Sequence, residues 1–170
     1  MKRKEFLDTF LPMQDAWYRL AMRFLTAPDE ARDAVQEVFA KLWKGRKKLD
    51  HVSNPQAYSM QMVKNYALDR LKSKQASNLR LVHSNYPEKN TGLQRSMELK
   101  DEVSRLFELM KDLPQQQQLI IQLRDVEGYD YDEIATIMEM KETAIRVALS
   151  RARKSLREQL EKQMKYRSNG

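Results

Sequence analysis

Large apolar residues recur at helical spacing in the first part of the chain. Between residues 4 and 25 they follow one another at steps of three and four: Phe6, Phe10, Met13, Trp17, Leu20 and Phe24. This spacing places them on one face of a helix. A second helix is predicted to begin after Pro28 and to run to about Lys44, because Asp29 and Glu30 suit its first turn. Its predicted buried residues are Ala31, Ala34, Val35, Val38, Phe39, Leu42 and Trp43.

A third helix follows a basic loop. Asn54 and then Pro55 are typical of an N-cap and a first helical position. The helical spacing continues to about Lys74 through Tyr58, Met62, Val63, Tyr66, Ala67 and Leu71. Between residues 75 and 96 no apolar period is sustained and turn residues are frequent, which predicts a flexible linker over 76–96.

A second helical unit follows the linker. Its first helix keeps the same spacing through Leu99, Val103, Leu106, Met110 and Leu113. Pro114 restarts a helix that we expect to end at Gly128, a typical C′ glycine. Asp130 and Glu133 have the spacing of a capping box. They would cap the start of a short helix, about 131–138, whose predicted buried residues are Ile134, Ala135, Ile137 and Met138.

A turn over 139–141 leads into a long final helix that ends near Lys165. Its apolar residues are Ile145, Leu149, Ala152 and Leu156. A short helix, a tight turn and a longer helix are the proportions of a helix-turn-helix. The patterns thus predict an all-α protein of two small helical domains, residues 1–75 and 97–170, joined by the linker, with the helix-turn-helix in the second.

Composition narrows the functional classes. The chain has no cysteine, which excludes disulfides and thiolate metal sites, and no apolar run long enough to cross a bilayer. No apolar segment follows the basic start, so we expect no signal peptide, no membrane insertion and a cytoplasmic location. We expect no metal and no cofactor. The net charge of +7 favours a nucleic-acid partner, although ordinary basic proteins share it.

Charge is divided sharply within the helix-turn-helix. Residues 125–140 contain six acidic side chains and no basic one, whereas residues 141–167 contain nine basic and three acidic. A helix that enters a DNA groove should be the basic one. Opposite its apolar stripe lie Thr143, Val147, Ser150 and Lys154, with Arg146 and Arg151 beside them. A solvated helix with surface ion pairs is the alternative interpretation.

Three segments of the chain resemble a known family. They are DAVQEVFAKLW at 33–43, NPQAYSMQMVKNYALDRLKSK at 54–74 and LPQQQQLIIQLRDVEGYDYDEIATIM at 113–138. In this order they resemble sigma-70 family factors, especially the small extracytoplasmic-function (ECF) group. The resemblance implies a transcription initiation factor without enzymatic activity. It also implies three partners: core RNA polymerase, promoter DNA and an anti-sigma factor. We expect the free protein to be a monomer.

The resemblance also implies roles for individual residues. Core polymerase would be bound by Asp33, Gln36 and Glu37. The melted −10 strand would be met by Arg46, Lys47, Lys48, Lys64, Asn65, Asp69, Arg70 and Lys72. The −35 duplex would be read by Thr143, Arg146, Val147, Ser150, Arg151 and Lys154. Tyr58 stands where the family usually has tryptophan, and core packing is favoured for it over stacking on a base.

Some positions depart from the family. Glu139 stands in the turn, where glycine or a small polar residue is common, so the turn geometry is in question. Thr143 and Ala144 stand where a Gly-Thr pair is usual. Val147 and Ala148 replace residues that are often serine and arginine. The −35 sequence therefore cannot be transferred from a relative.

Two other functions compete with this interpretation. A polymerase-independent repressor or activator would use the same helix-turn-helix, but it usually needs a dimer, and it leaves the 33–43 segment without a role. An enzyme is disfavoured because only His51 and His83 are present, and because neither a phosphate loop nor a nucleophile arrangement is recognisable.

Overall fold

The structure, a computed structural model, describes residues 1–81 and 98–170, and these residues contain helices and turns without a strand. Most of the predicted linker lies outside them. The described residues form two compact units. The first contains the helices up to residue 81 together with the segment 132–139. The second contains the helices between 98 and 131 and the chain from Met140 onward.

Four α-helices form the main part of the first unit. They are α1 (Arg3–Phe10), α2 (Gln14–Leu25), α3 (Pro28–Lys44) and α4 (Pro55–Leu81), with a short 3₁₀ turn at Leu49–His51. Helix α2 packs against α3 and α4, and α3 also packs against α4. The predicted all-α fold is therefore confirmed.

The predicted first helix is interrupted. Helix α1 ends before Pro12, and i→i+3 hydrogen bonds from Met13 to Phe10 and from Gln14 to Leu11 form a tight turn before α2. Proline lacks the N–H that a continuous helix needs at this point. Because the turn keeps nearly helical dihedrals at Leu11 and Met13, the apolar face stays in phase across the break.

Aromatic rings fill the core of the first unit. Phe6, Phe10 and Trp17 have no exposed surface. The Phe6 ring lies 4.8 Å from that of Phe10, 5.3 Å from Phe39 and 5.1 Å from Trp43, measured between centroids. On α3, Ala31, Ala34, Val38 and Leu42 are buried, and Val35, Phe39 and Trp43 are half-buried. The face predicted for α3 is thus confirmed, with its edge partly open.

Helix α4 begins as predicted and extends further. The Asn54 side chain accepts a hydrogen bond from the backbone N–H of Ala57 at 2.9 Å, so Asn54 is the N-cap. The helix continues to Leu81, beyond the end expected near Lys74. Residues 75, 76 and 77 are exposed there, and their helix-forming side chains continue the helix without an apolar stripe.

The second unit contains α5 (Glu98–Met110), α6 (Gln115–Ile121), a π-helical turn (Gln122–Val126) and α8 (Glu142–Ser168). Both α5 and α6 pack against α8. Leu109, Met110 and Leu113 are buried, whereas Val103 and Leu106 are exposed. The predicted stripe is therefore wrong at Val103 and Leu106, whereas Leu99 lies outside the residues whose side chains are described.

Gly128 follows the π-helical turn and its C-cap residue, Glu127. This glycine has φ +76°, and the Tyr129 N–H donates to the Leu123 carbonyl at 2.9 Å. A left-handed glycine that closes a helix end is the predicted C′ role. The chain then enters α7 (Tyr131–Met138), whose limits agree with the prediction and in which Ile134 and Ile137 are buried while Ala135 and Met138 are half-buried.

The turn between α7 and α8 has left-handed geometry without glycine. Glu139 has φ 55°, and Lys141 is extended at the N-cap of α8. The departure from the family at Glu139 therefore leaves the left-handed conformation in place. A non-glycine residue adopts it at a cost of about 1 kcal/mol.

Candidate nucleic-acid interface

One face of α8 is apolar and buried, and the opposite face is polar and exposed. Ile145, Leu149, Ala152 and Leu156 are all buried, as predicted. Each of the predicted −35 residues is exposed: Thr143, Arg146, Val147, Ser150, Arg151 and Lys154. Glu142, in the first turn of α8, forms an ion pair with Arg146 in which nitrogen and oxygen are 2.8 Å apart. The structure thus brings these six side chains together on one accessible surface, called here the α8 face.

Arginine and tyrosine side chains stack at one edge of the α8 face. The Arg146 guanidinium carbon lies 4.1 Å from the Tyr131 ring centroid, and that of Arg124 lies 4.4 Å from the same ring. Arg124 also donates to the Tyr129 carbonyl at 2.9 Å. Stacking on an aromatic ring holds a guanidinium in a defined orientation. Arg146 is therefore positioned by neighbours outside its own helix.

Arg153 was not among the sequence-predicted residues. It makes a two-pronged contact with Asp125, with nitrogen–oxygen distances of 3.1 and 2.5 Å. The hydrogen bond to Asp125 raises the pKa of Arg153. This contact links α8 to the π-helical turn. In the sequence, the general excess of basic residues in α8 was the only signal for a role of Arg153.

A groove of about 410 Å³ adjoins the α8 face on the side of α6. Its lining residues are Gln116, Gln117, Met140, Thr143, Ala144, Val147, Ala148 and Arg151. Ala148 is buried, whereas Val147 is 49% exposed. The groove therefore joins four positions that depart from the family, Thr143, Ala144, Val147 and Ala148, to two glutamines of α6.

A second groove in this unit is larger and mostly apolar. It has a volume of about 730 Å³ and lies between α5, the π-helical turn and α8. Leu106, Val126 and Leu160 are among the apolar residues that line it, and Arg153 and Arg157 add basic groups. The exposed Leu106 of α5 thus belongs to an open apolar surface.

The predicted polymerase-binding residues lie together on α3. Asp33, Gln36 and Glu37 are all exposed, on the side away from the buried Val38 and Leu42. Beside Gln36 is a groove of about 480 Å³, lined by Gln14, Asp15, Tyr18, Arg32, Val35, Gln36, Phe39 and Ala40. Polar groups around a partly open apolar strip are typical of protein-binding surfaces.

The basic loop after α3 carries three predicted DNA contacts. Lys47 and Lys48 are exposed. Arg46 is half-buried, since its guanidinium lies 4.2 Å from the Trp43 ring centroid and donates to the Trp43 carbonyl at 3.1 Å. The loop therefore carries two exposed lysines and one arginine that stacks on an aromatic ring.

Helix α4 presents most of its predicted DNA contacts to solvent. Asn65, Asp69, Arg70 and Lys72 are exposed, but Lys64 is only 5% exposed. Burial lowers the pKa of Lys64, and the Glu139 carboxylate, 3.7 Å from its Nζ, acts in the opposite direction. In this structure the Lys64 side chain is therefore not accessible to a DNA strand.

Tyr58 is exposed rather than part of the core. It retains 38% of its surface, so the favoured interpretation as a core residue is wrong. Its helix neighbours Ala57, Ser59 and Met60 are buried instead. The exposed ring lies on the same helix as Asn65 and Asp69.

Within residues 1–81 and 98–170, histidine and acidic side chains form no group of three suited to a metal ion. In the same residues, no helix is both long and apolar enough to span a bilayer.

Comparison with known families identifies both parts of the chain. Residues 10–77 match the model for sigma-70 region 2, and residues 104–156 match the model for sigma-70 region 4. RNA polymerase sigma-H factor of Pseudomonas aeruginosa is 26% identical over 148 residues, covering 81% of this chain and 76% of that protein.

Solved structures share the fold. The sigma factor RpoE of Bartonella quintana, in complex with the anti-sigma factor NepR, superposes with a TM-score of 0.75 at 22% identity, covering 93% of this chain and 98% of that one. CnrH, in complex with the cytosolic domain of CnrY, gives a TM-score of 0.70 at 18% identity, covering 94% and 90%. The two sigma-70 models together match more than half of the chain, which therefore belongs to the sigma-70 family and is a sigma factor for transcription initiation.

Proposed function

We propose that this sigma factor reads its promoter with two separate surfaces, the −35 element as duplex and the −10 element as melted single strand. The observation that carries the proposal is the α8 face, where six side chains of the predicted reading set are exposed together. Arg146 and Arg151 can pair with guanine edges in the major groove, and Lys154 can contact phosphate.

The −10 strand is assigned to the first unit. Lys47, Lys48, Arg70 and Lys72 supply an exposed basic track, and Asn65 supplies amide groups that can grip an unstacked base. Tyr58 offers an exposed ring on which a base can stack. Binding to bases that have left the stack favours melting, so this role needs no nucleotide hydrolysis and no catalytic residue.

Core RNA polymerase is assigned to the exposed polar surface of α3, formed by Asp33, Gln36 and Glu37. By the family resemblance, this surface would contact the clamp coiled coil of the largest polymerase subunit, and the second unit would dock on the flap of the other large subunit. Because the two units are linked, the affinity for a promoter depends on both binding at the same time. We therefore expect the free factor, a monomer, to bind promoter DNA weakly. It would act in the cytoplasm, where core polymerase works.

An anti-sigma partner is supported by the relative RpoE, which was solved in complex with the anti-sigma factor NepR. RpoE is only 22% identical to this chain, so its complex supports a regulator of this class without identifying it. The large apolar groove of the second unit is a surface that such a partner could cover.

The first test is binding to core polymerase. We expect the purified chain to co-elute with bacterial core RNA polymerase and the double variant Gln36→Ala/Glu37→Lys to lose co-elution. Glu108→Lys is a matched control, because both glutamates are exposed helical residues paired with a lysine, Glu37 with Lys41 and Glu108 with Lys111.

The control should bind core polymerase like the wild type. If the wild-type chain does not bind core polymerase but binds duplex DNA tightly by itself, the proposal fails, and a polymerase-independent repressor becomes the better interpretation.

A further inference from the structure

The groove beside the α8 face has an apolar floor at a position where DNA bases would approach. Val147 lies on the α8 face itself and also lines the groove. Ala144, Ala148 and Met140 line it together with Val147. None of these four side chains carries a charge or a strong hydrogen-bonding group.

The groove walls are polar and basic. Gln116 is exposed and directs its Nε2 to the Met140 sulfur at 3.2 Å. Arg151 lines the groove one turn beyond Val147 and is exposed. The helix that carries these residues is basic along its length, with nine basic and three acidic side chains over residues 141–167, which complements the charge of a phosphate backbone.

Base pairs differ in what they present in the major groove. Guanine, cytosine and adenine present hydrogen-bonding groups, whereas thymine also presents a C5-methyl group. An apolar surface leaves a polar base edge without a partner, but it excludes water from a methyl group favourably. Among the four bases, thymine is therefore the one whose chemistry fits this floor.

We infer that the groove receives the C5-methyl group of a thymine in the −35 duplex and that Val147 makes the specifying contact. This inference rests on the proposed function and names the base recognised by that surface. Ala144 and Ala148 leave room for the methyl group because their side chains are short. The exposed guanidinium of Arg151 remains available to a neighbouring phosphate or guanine.

Replacement of thymine by deoxyuridine tests the inference, since it removes only the methyl group. Holoenzyme assembled from the full chain and core polymerase is used to select bound duplexes from a randomised library. Each thymine of the selected −35 element is then replaced singly by deoxyuridine. We expect one replacement to weaken wild-type binding by about fourfold, the effect of one buried methyl group.

The variant Val147→Ala should bind the thymine and deoxyuridine duplexes with nearly equal affinity. Val103→Ala is the matched control, because Val103 is a valine of similar exposure, 53%, on α5 and outside the groove. It should retain the fourfold difference. An unchanged thermal denaturation curve, followed by circular dichroism, shows that each variant is folded.

Two results would overturn the inference while leaving the proposed function intact: selective binding that no deoxyuridine replacement weakens, or a penalty that persists in Val147→Ala. If the holoenzyme selects no sequence at all, the proposed function fails, and this inference fails with it.

Discussion

The core of the first unit contains a hydrogen bond between two fully buried side chains. The Trp17 indole N–H donates to the Ser59 hydroxyl at 3.1 Å, and that hydroxyl donates to the Gln56 carbonyl at 2.6 Å. Neither Trp17 nor Ser59 has exposed surface. The serine therefore satisfies the only polar atom of a large core side chain and links α2 to α4.

Replacement of this serine should destabilise the first unit. In Ser59→Ala the indole N–H is left buried without a partner, which costs about 1–3 kcal/mol of unfolding free energy. Ser73→Ala is the control, because Ser73 is exposed on the same helix and its loss should change stability by less than about 0.5 kcal/mol. Urea denaturation of the two variants measures the difference. Equal midpoints would mean that a water molecule replaces the hydroxyl.

Residue exposure was predictable where it depends on local spacing. The stripe at Ile145, Leu149, Ala152 and Leu156 follows from the helical period alone. Exposure was not predictable where distant residues decide it. Lys64 is buried near Glu139, which is 75 positions later in the sequence, and no local pattern indicates that contact.

Among the elements, the π-helical turn and Gly128 determine where α7 begins. Five residues wind with π geometry, and Gly128 then adopts φ +76° to reverse the chain. A β-carbon at Gly128 would meet nothing within 4 Å. The requirement for glycine therefore lies in the backbone conformation and not in the available space.

The variant Gly128→Ala should lower the unfolding free energy of the second unit by about 1 kcal/mol, the cost of a left-handed conformation for a residue with a β-carbon. Gly128→Asn should cost less, because asparagine tolerates this conformation better. Thermal denaturation followed by circular dichroism ranks the variants. A ranking in which asparagine is worse than alanine would contradict this explanation.

Helices were predicted most accurately where residues typical of helix ends coincide with the limits of the apolar spacing. Asn54, Pro55 and Gly128 fix helix ends that the structure reproduces. The interruption at Pro12 was missed because a three-residue turn preserves the apolar phase on both sides. The end of α4 was placed too early because its last turns contain no apolar stripe, although their residues still favour a helix.

At the scale of the whole molecule, the charge distribution governs how binding responds to salt. A phosphate contact releases counterions, so each one adds about 0.9 to the slope of log affinity against log salt. Lys154→Ala should therefore reduce the slope for holoenzyme on promoter duplex by about that amount. Lys111→Ala should leave it unchanged, since Lys111 directly follows α5 and forms an ion pair with Glu108 at 2.7 Å. Equal slopes for wild type and Lys154→Ala would remove Lys154 from the phosphate contacts.

The placement of the tryptophans gives the molecule a built-in optical probe. The chain has two, Trp17 and Trp43, and both lie in the first unit. Trp17 is fully buried, whereas Trp43 is half-buried under Arg46. Fluorescence excited selectively at tryptophan, at wavelengths where tyrosine hardly absorbs, should therefore report the unfolding of the first unit and the binding of DNA to the basic loop. The second unit contributes no tryptophan fluorescence. A tryptophan introduced there would therefore allow DNA binding by each unit to be followed in a separate titration.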